Sequence, residues 1–391
     1  MKTIRLVSLA SVLGALIVGA ACGEDEALVR PRLDTGLDAS TDAAGNEAGA
    51  LACGAVVPTK YESAAFATNA AVELALAQRV AELEATMNSA EGASDAGVPA
   101  AADLKAIYNA GSPSLRAVST TFAQTTLDGY LDAFEAALGK EWKPEDAEQD
   151  GGASEGGKYG DHHFSKTGVD LRAAAPKVLL GGALYNHVLG LVAAPVTEAT
   201  VDRLLAAFGA STALAGRTDA DAGAEADELI AGYASQRDDK SSAAPGPYRK
   251  VRTALLTMKA ATAAGDKCNA ERDAAVATFL SEWERATYAT AIHYLDEAAR
   301  TAADPLKGSN ALHAFGEALG FIESFKGLPA EKRRITDPQI DALLTKIGTA
   351  TAYKLVTGAG DRALKLNEAI NDIALYQGFT PAEVEAFRKS F

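Results

Sequence analysis

Residues Ser309 to Phe325 read SNALHAFGEALGFIESF. Leu312, Phe315, Leu319 and Ile322 recur at helical spacing and form one apolar stripe that a core can bury. At about 100° per residue, His313, Gly316, Glu317, Gly320 and Ser324 fall on the opposite side of the same helix. Each glycine inside a helix costs roughly 1 kcal/mol relative to alanine. A chain that keeps both therefore needs a close neighbour on that face, either another helix or a ligand.

The same period recurs along the chain. Helical patterns run over 61–86, 115–138, 169–193, 201–214, 248–263, 271–301 and 364–376. Asp304-Pro305 breaks the run before the quoted helix. Thr336-Asp337-Pro338-Gln339 and Thr380-Pro381-Ala382-Glu383 have the spacing of capped helix starts with proline in the first turn. With only 6% aromatic residues and no strand pattern, the expected class is all-α: up-and-down helical bundles, two of them packed together and joined by polar loops. Gly139 to Gly168 reads as one such loop, closed by His162 and His163, an adjacent pair that can bind a metal but in a polar loop is more often solvated. Its G-x-S-x-G at 152–156 lacks the strand and helix that a hydrolase elbow needs. The acidic run from Asp219 to Glu228 begins like a calcium loop but has Ala224 and Ile230 where glycine and a bidentate glutamate belong, so it reads as a solvated turn.

Charge and address bound the function. The 391 residues carry a net charge of -15, with no basic stripe to release counterions from a phosphate backbone, which argues against a nucleic-acid partner. Lys2 and Arg5, then apolar Leu6 to Val18, then Gly19-Ala20-Ala21 before Cys22, have the order of a signal peptide ending in a lipobox. The expectation is a signal peptide over 1–21, lipidation at Cys22 and a lipid-anchored protein of the cell envelope, on the outer membrane's periplasmic or surface face. An ordinary secretory signal is the alternative. Residues 22–57 read as a flexible acidic tether, and 58–391 as the helical domain. Cys53 and Cys268 then remain either as one disulfide in an oxidising compartment or as two free thiols.

Leu312 to Ile322, followed by Ile335-Thr336-Asp337-Pro338-Gln339-Ile340-Asp341, resembles a late segment of the imelysin-like helical envelope proteins and of a related bacterial lipoprotein domain. Lys177 to His187 and Trp283 to Leu295 are similar to helices of that group. The resemblance implies two helical bundles in the periplasm or on the surface, in a group linked to iron acquisition and once described as peptidases. That group's G-x-H-x-x-E hallmark is absent, so neither its metal site nor its peptidase chemistry carries over.

The residues suggest their own metal site. His293 and Glu297 repeat the spacing of His313 and Glu317 on the preceding helix. Folding back about Pro305 would converge two histidines and two carboxylates, a donor set for iron or zinc. The alternative is two exposed i,i+4 pairs worth about 0.3 kcal/mol each. Three function classes follow: a non-catalytic envelope module that binds a metal or small ligand, a structural or interaction lipoprotein with an envelope protein partner, and, third, a metal-dependent peptidase. The last lacks any H-E-x-x-H or nucleophile-base arrangement. No catalytic residue is assigned.

Overall fold

Helix starts follow the caps written in the sequence. In the computed structural model, which describes residues 49–91, 100–149, 155–216, 227–358 and 360–389, Thr336 and Thr380 each accept from the backbone N–H three residues on, while Gln339 and Glu383 reach back. These capping boxes open α8 (Asp337–Ile347) and α10 (Pro381–Phe387). Before them come α1 (Ala71–Glu91), α2 (Thr121–Ala137), α3 (Leu171–Leu179), α4 (Glu198–Phe208), α5 (Pro247–Ala264), α6 (Asn269–Thr301) and α7 (Gly308–Glu323). α9 (Gly360–Gln377) precedes the last, and shorter helices fill the joints. The class is all-α.

α6 is the axis of the molecule. It packs along α5, α7 and α9, and Phe279, Trp283, Tyr288, Ile292 and Leu295 are all buried. α7 folds back on α6 through the turn at Pro305–Lys307, where Asp304 Oδ1 accepts from Leu306 N at 3.0 Å. One continuous apolar cluster runs from Tyr61 to Phe387. The described residues all belong to one compact unit, Ala39–Phe391.

The glycine stripe faces a helix. A Cβ on Gly316 would lie 2.8 Å from Asp170 O, and one on Gly320 would collide with Ala174 O and stand 2.8 Å from Lys177 Cβ. α7 and α3 thus approach backbone to backbone. Beyond α3 the chain passes through a π-helical segment, Leu180–Tyr185, whose Gly181 leaves no room for a side chain beside Ser324 O at 2.5 Å.

Two expectations fail here. Gly139 to Gly168 is not a plain loop: after the short helix Pro144–Gln149, β1 (Gly156–Tyr159) pairs antiparallel with β2 (His162–Ser165). The strands are only four residues long, too short for alternation to show, and Gly156 and Gly157 supply the positive φ their path requires. Phe164 is fully buried against Trp142. Of the acidic run, 219–226 lie outside the described residues, and Asp227 near its end is not solvated: it is buried and accepts from Ser211 N at 2.7 Å and Gly216 N at 2.8 Å.

The end of the expected tether is also ordered. Cys53 is joined to Cys268, just before α6, across 215 residues, and Cys53 N donates to Glu271 at 2.9 Å. Cys22 and its lipobox lie outside the described residues. No described helix is long and apolar enough to cross a membrane.

Candidate metal centre

Asp170 begins the site. As the N-cap of α3 it accepts from Ala173 N through Oδ1 at 2.9 Å, which fixes the carboxylate at the helix start with Oδ2 directed at α7. His313 Nδ1 donates to that Oδ2 at 2.7 Å. His162, at the head of β2, brings its Nδ1 to 3.5 Å from the same oxygen. The two imidazoles stack, centroids 4.3 Å apart at 12°. Asp170 has no exposed surface, whereas both histidines are partly exposed.

Charge holds the cluster in one protonation pattern. Burial alone would raise the Asp170 carboxyl, but the His313 hydrogen bond and the charges of His313, Arg172 and His162 outweigh it and hold the group below its ordinary range. Burial would lower His313, but the bond to Asp170, with the Asp170 and Glu317 charges, raises it instead. Both shifts favour the same arrangement, an ionised Asp170 carboxylate accepting the His313 Nδ1–H.

A second polar layer continues along the α1, α3 and α7 seam. Arg172 Nη2 lies 3.3 Å from His162 Nδ1, and its Nη1 donates to Asn88 of α1 at 2.7 Å. One turn further, Lys177 Nζ stands 3.0 Å from Glu317 Oε1 and 3.5 Å from Glu84 Oε1, with the Tyr233 ring at 5.8 Å. Both Lys177 and Glu317 are buried, and each offsets the desolvation of the other.

The four ligands expected from sequence do not converge. Among the described residues, the sets of three or more potential ligand atoms within 4.8 Å of one another are His162, Asp170 and His313, and Cys53, Cys268 and Glu271. The second is spent on the disulfide. Only His313 of the expected four joins the first. Glu317 is turned to Lys177. His293 accepts nothing from α7: its Nδ1 faces Arg388 O at 3.3 Å and its Nε2 lies 3.8 Å from Glu297. Burial and the charge of Arg237 push His293 down to about 3, so it stays neutral. The i,i+4 spacing set each pair on one helix face but did not say which neighbours that face would meet.

Asp170 and Arg172 escaped the sequence reading, and His162 was weighed only with its neighbour His163, for a plain reason. His313 and Asp170 are 143 residues apart, and nothing local couples them. The signal within reach was Asp170 itself, an N-cap before LRAAAP, and the His162-His163 pair set aside as solvated. His163 is buried, its ring against Phe134 at 6.4 Å.

No family model, curated protein or solved structure matches this chain. The imelysin-like resemblance rests on the quoted residues alone.

Proposed function

We propose that the protein is a non-catalytic, lipid-anchored envelope module that binds a first-row divalent metal at His162, Asp170 and His313. The observation that carries the reading is the meeting of two imidazole nitrogens and a buried carboxylate oxygen from three separate elements at one point. Two histidines and a carboxylate suit zinc or iron(II), and three protein donors leave further coordination positions open. Asp170 is already ionised, and the proton on His313 Nδ1 is the one a metal would replace. Asp170 is held by the α3 cap, which orients it for either partner.

Metal analysis of the full-length chain tests this. After equilibration with zinc and removal of the excess, one equivalent per chain is expected, falling to none in His162→Ala. Zinc retained equally by both would refute the site. The envelope address is a separate expectation: Cys22→Ser should move the protein from the membrane to the soluble fraction, and unchanged membrane association would oppose it.

A scaffold reading is favoured by one observation. The glycine stripe is filled by α3 rather than lining a cavity, as expected of a helix built to pack tightly. In that reading the cluster is a metal-free hydrogen-bond network, and zinc retention would be absent.

A further inference from the structure

We propose that Cys53, Cys268 and Glu271 form a second metal site, independent of the histidine centre, that the disulfide keeps closed and that takes zinc once a dithiol reductant opens it.

Backbone contacts gather the donors as well as the sulfur bond does. Their ligand atoms lie within 4.8 Å of one another, and the two cysteine Cα atoms are 5.3 Å apart. Tetrahedral zinc, with Zn–S bonds of about 2.3 Å, needs its two sulfurs roughly 3.8 Å apart, a separation that side-chain rotation reaches between such Cα positions. Cys268 closes the turn Asp266–Cys268 directly before α6, and Glu271 lies in the first turn of that helix. Cys53 sits in a loop that holds its own shape: Leu51 N donates to Ala55 O at 2.7 Å and Gly54 N to Leu51 O at 2.8 Å. Cys53 N donates to Glu271 Oε1 at 2.9 Å, and a few residues on Tyr61, Ser63 and Asn69 all donate to Asp202. Opening the S–S bond therefore leaves Cys53 beside α6.

The donor chemistry suits a thiophilic divalent ion. Two thiolates and a carboxylate match zinc, and three protein donors leave one tetrahedral position open. Around a divalent ion that set carries one net negative charge, which the positive end of the 33-residue α6 favours. Cys268 has no exposed surface, whereas Cys53 and Glu271 are partly exposed, so reagents arrive at Cys53. One thiolate of the dithiol attacks Cys53 Sγ, and Cys268 leaves as a thiolate stabilised at the helix N-terminus. The second sulfur of the dithiol then displaces Cys53 and closes the reductant's own disulfide. Two electrons and two protons pass to the cysteines, and zinc displaces the two protons.

Cys22→Ser in the full-length chain leaves these two cysteines as its only ones. Reduced with a phosphine, which brings no competing thiol, that chain is titrated with cobalt(II) in the absence of oxygen. A thiolate-to-cobalt charge-transfer band should grow in the near ultraviolet, collapse on addition of zinc and stay absent from the oxidised chain. It should persist when His162→Ala is added, which separates this site from the histidine centre, and vanish with Cys268→Ser. Glu271→Gln should weaken cobalt binding by at least the roughly tenfold that loss of an outer-shell partner costs. Zinc should also raise the melting temperature of the reduced His162→Ala chain and leave that of its oxidised form unchanged. No thiolate band in the reduced chain overturns the site, whether helical circular dichroism survives reduction or is lost, since the site needs its donors held in place. An equal band in the oxidised chain, or unchanged cobalt affinity in Glu271→Gln, overturns it as well.

Discussion

The two histidine–glutamate pairs on α6 and α7 share a spacing and differ in everything else. His313 meets an N-cap carboxylate from α3 and an imidazole from β2, and its helix carries two glycines that bring α3 into backbone contact. His293 meets the carbonyl of Arg388 after α10, in a clamp where Arg388 also pairs with Asp296, and Arg300 reaches Asp296 at 2.8 Å. One region gathers donors around a point. The other ties the end of α10 to α6. A side chain's chemistry at a helix surface is decided by the elements that pack there, and the i,i+4 rule is silent about those.

The strongest way to break the contrast is at the glycines. Gly320→Leu forces a side chain into Ala174 O and Lys177, and should cost about 3 kcal/mol despite leucine's better helix propensity. Chemical denaturation measures it; a stabilised variant would mean the seam is looser than described. Glu323, at the end of α7, sharpens the comparison through pH. Burial lifts its carboxyl from 4.5 to about 7, partly offset by the Tyr130 hydrogen bond at 2.6 Å and the Lys326 charge. Because the folded value is the higher one, its contribution is fully present below the unfolded 4.5 and is lost as pH rises through about 7. Relative to Glu323→Gln, the wild type should lose on the order of 2 kcal/mol across that window. Parallel stability curves for the two proteins would contradict the assignment.

The clamp should be less sensitive. Arg388→Ala removes partly exposed pairs and should cost about 1 kcal/mol, with metal retention unaltered. Loss of metal in that variant would join the two regions that the structure separates. The smallest effect is expected at Gly129, in α2, where a Cβ meets nothing within 4 Å. Gly129→Ala should stabilise by about 0.5–1 kcal/mol, the reverse of Gly320.

Much of the fold could be read from sequence because its determinants are local. The stripe of Leu312, Phe315, Leu319 and Ile322 is buried, and the boxes at Thr336 and Thr380 form with their partners three residues away. The close neighbour implied by Gly316 and Gly320 is a helix, one of the two options their spacing left open. What escaped was non-local or too short. The hairpin offers four residues per strand, and Asp227 becomes buried only through Tyr248 and the 211–216 turn. The candidate centre is the extreme case, with one residue in a hairpin, one at a helix cap and one on α7.

Metal content of paired variants tests that centre most directly. The full-length chain, His313→Ala and His293→Ala are equilibrated with zinc, freed of excess and analysed for metal per chain, with circular dichroism to establish folding. One equivalent is expected in the wild type and in His293→Ala, and none in His313→Ala. Zinc retained by His313→Ala, or lost in His293→Ala, would contradict a centre built on Asp170, His162 and His313.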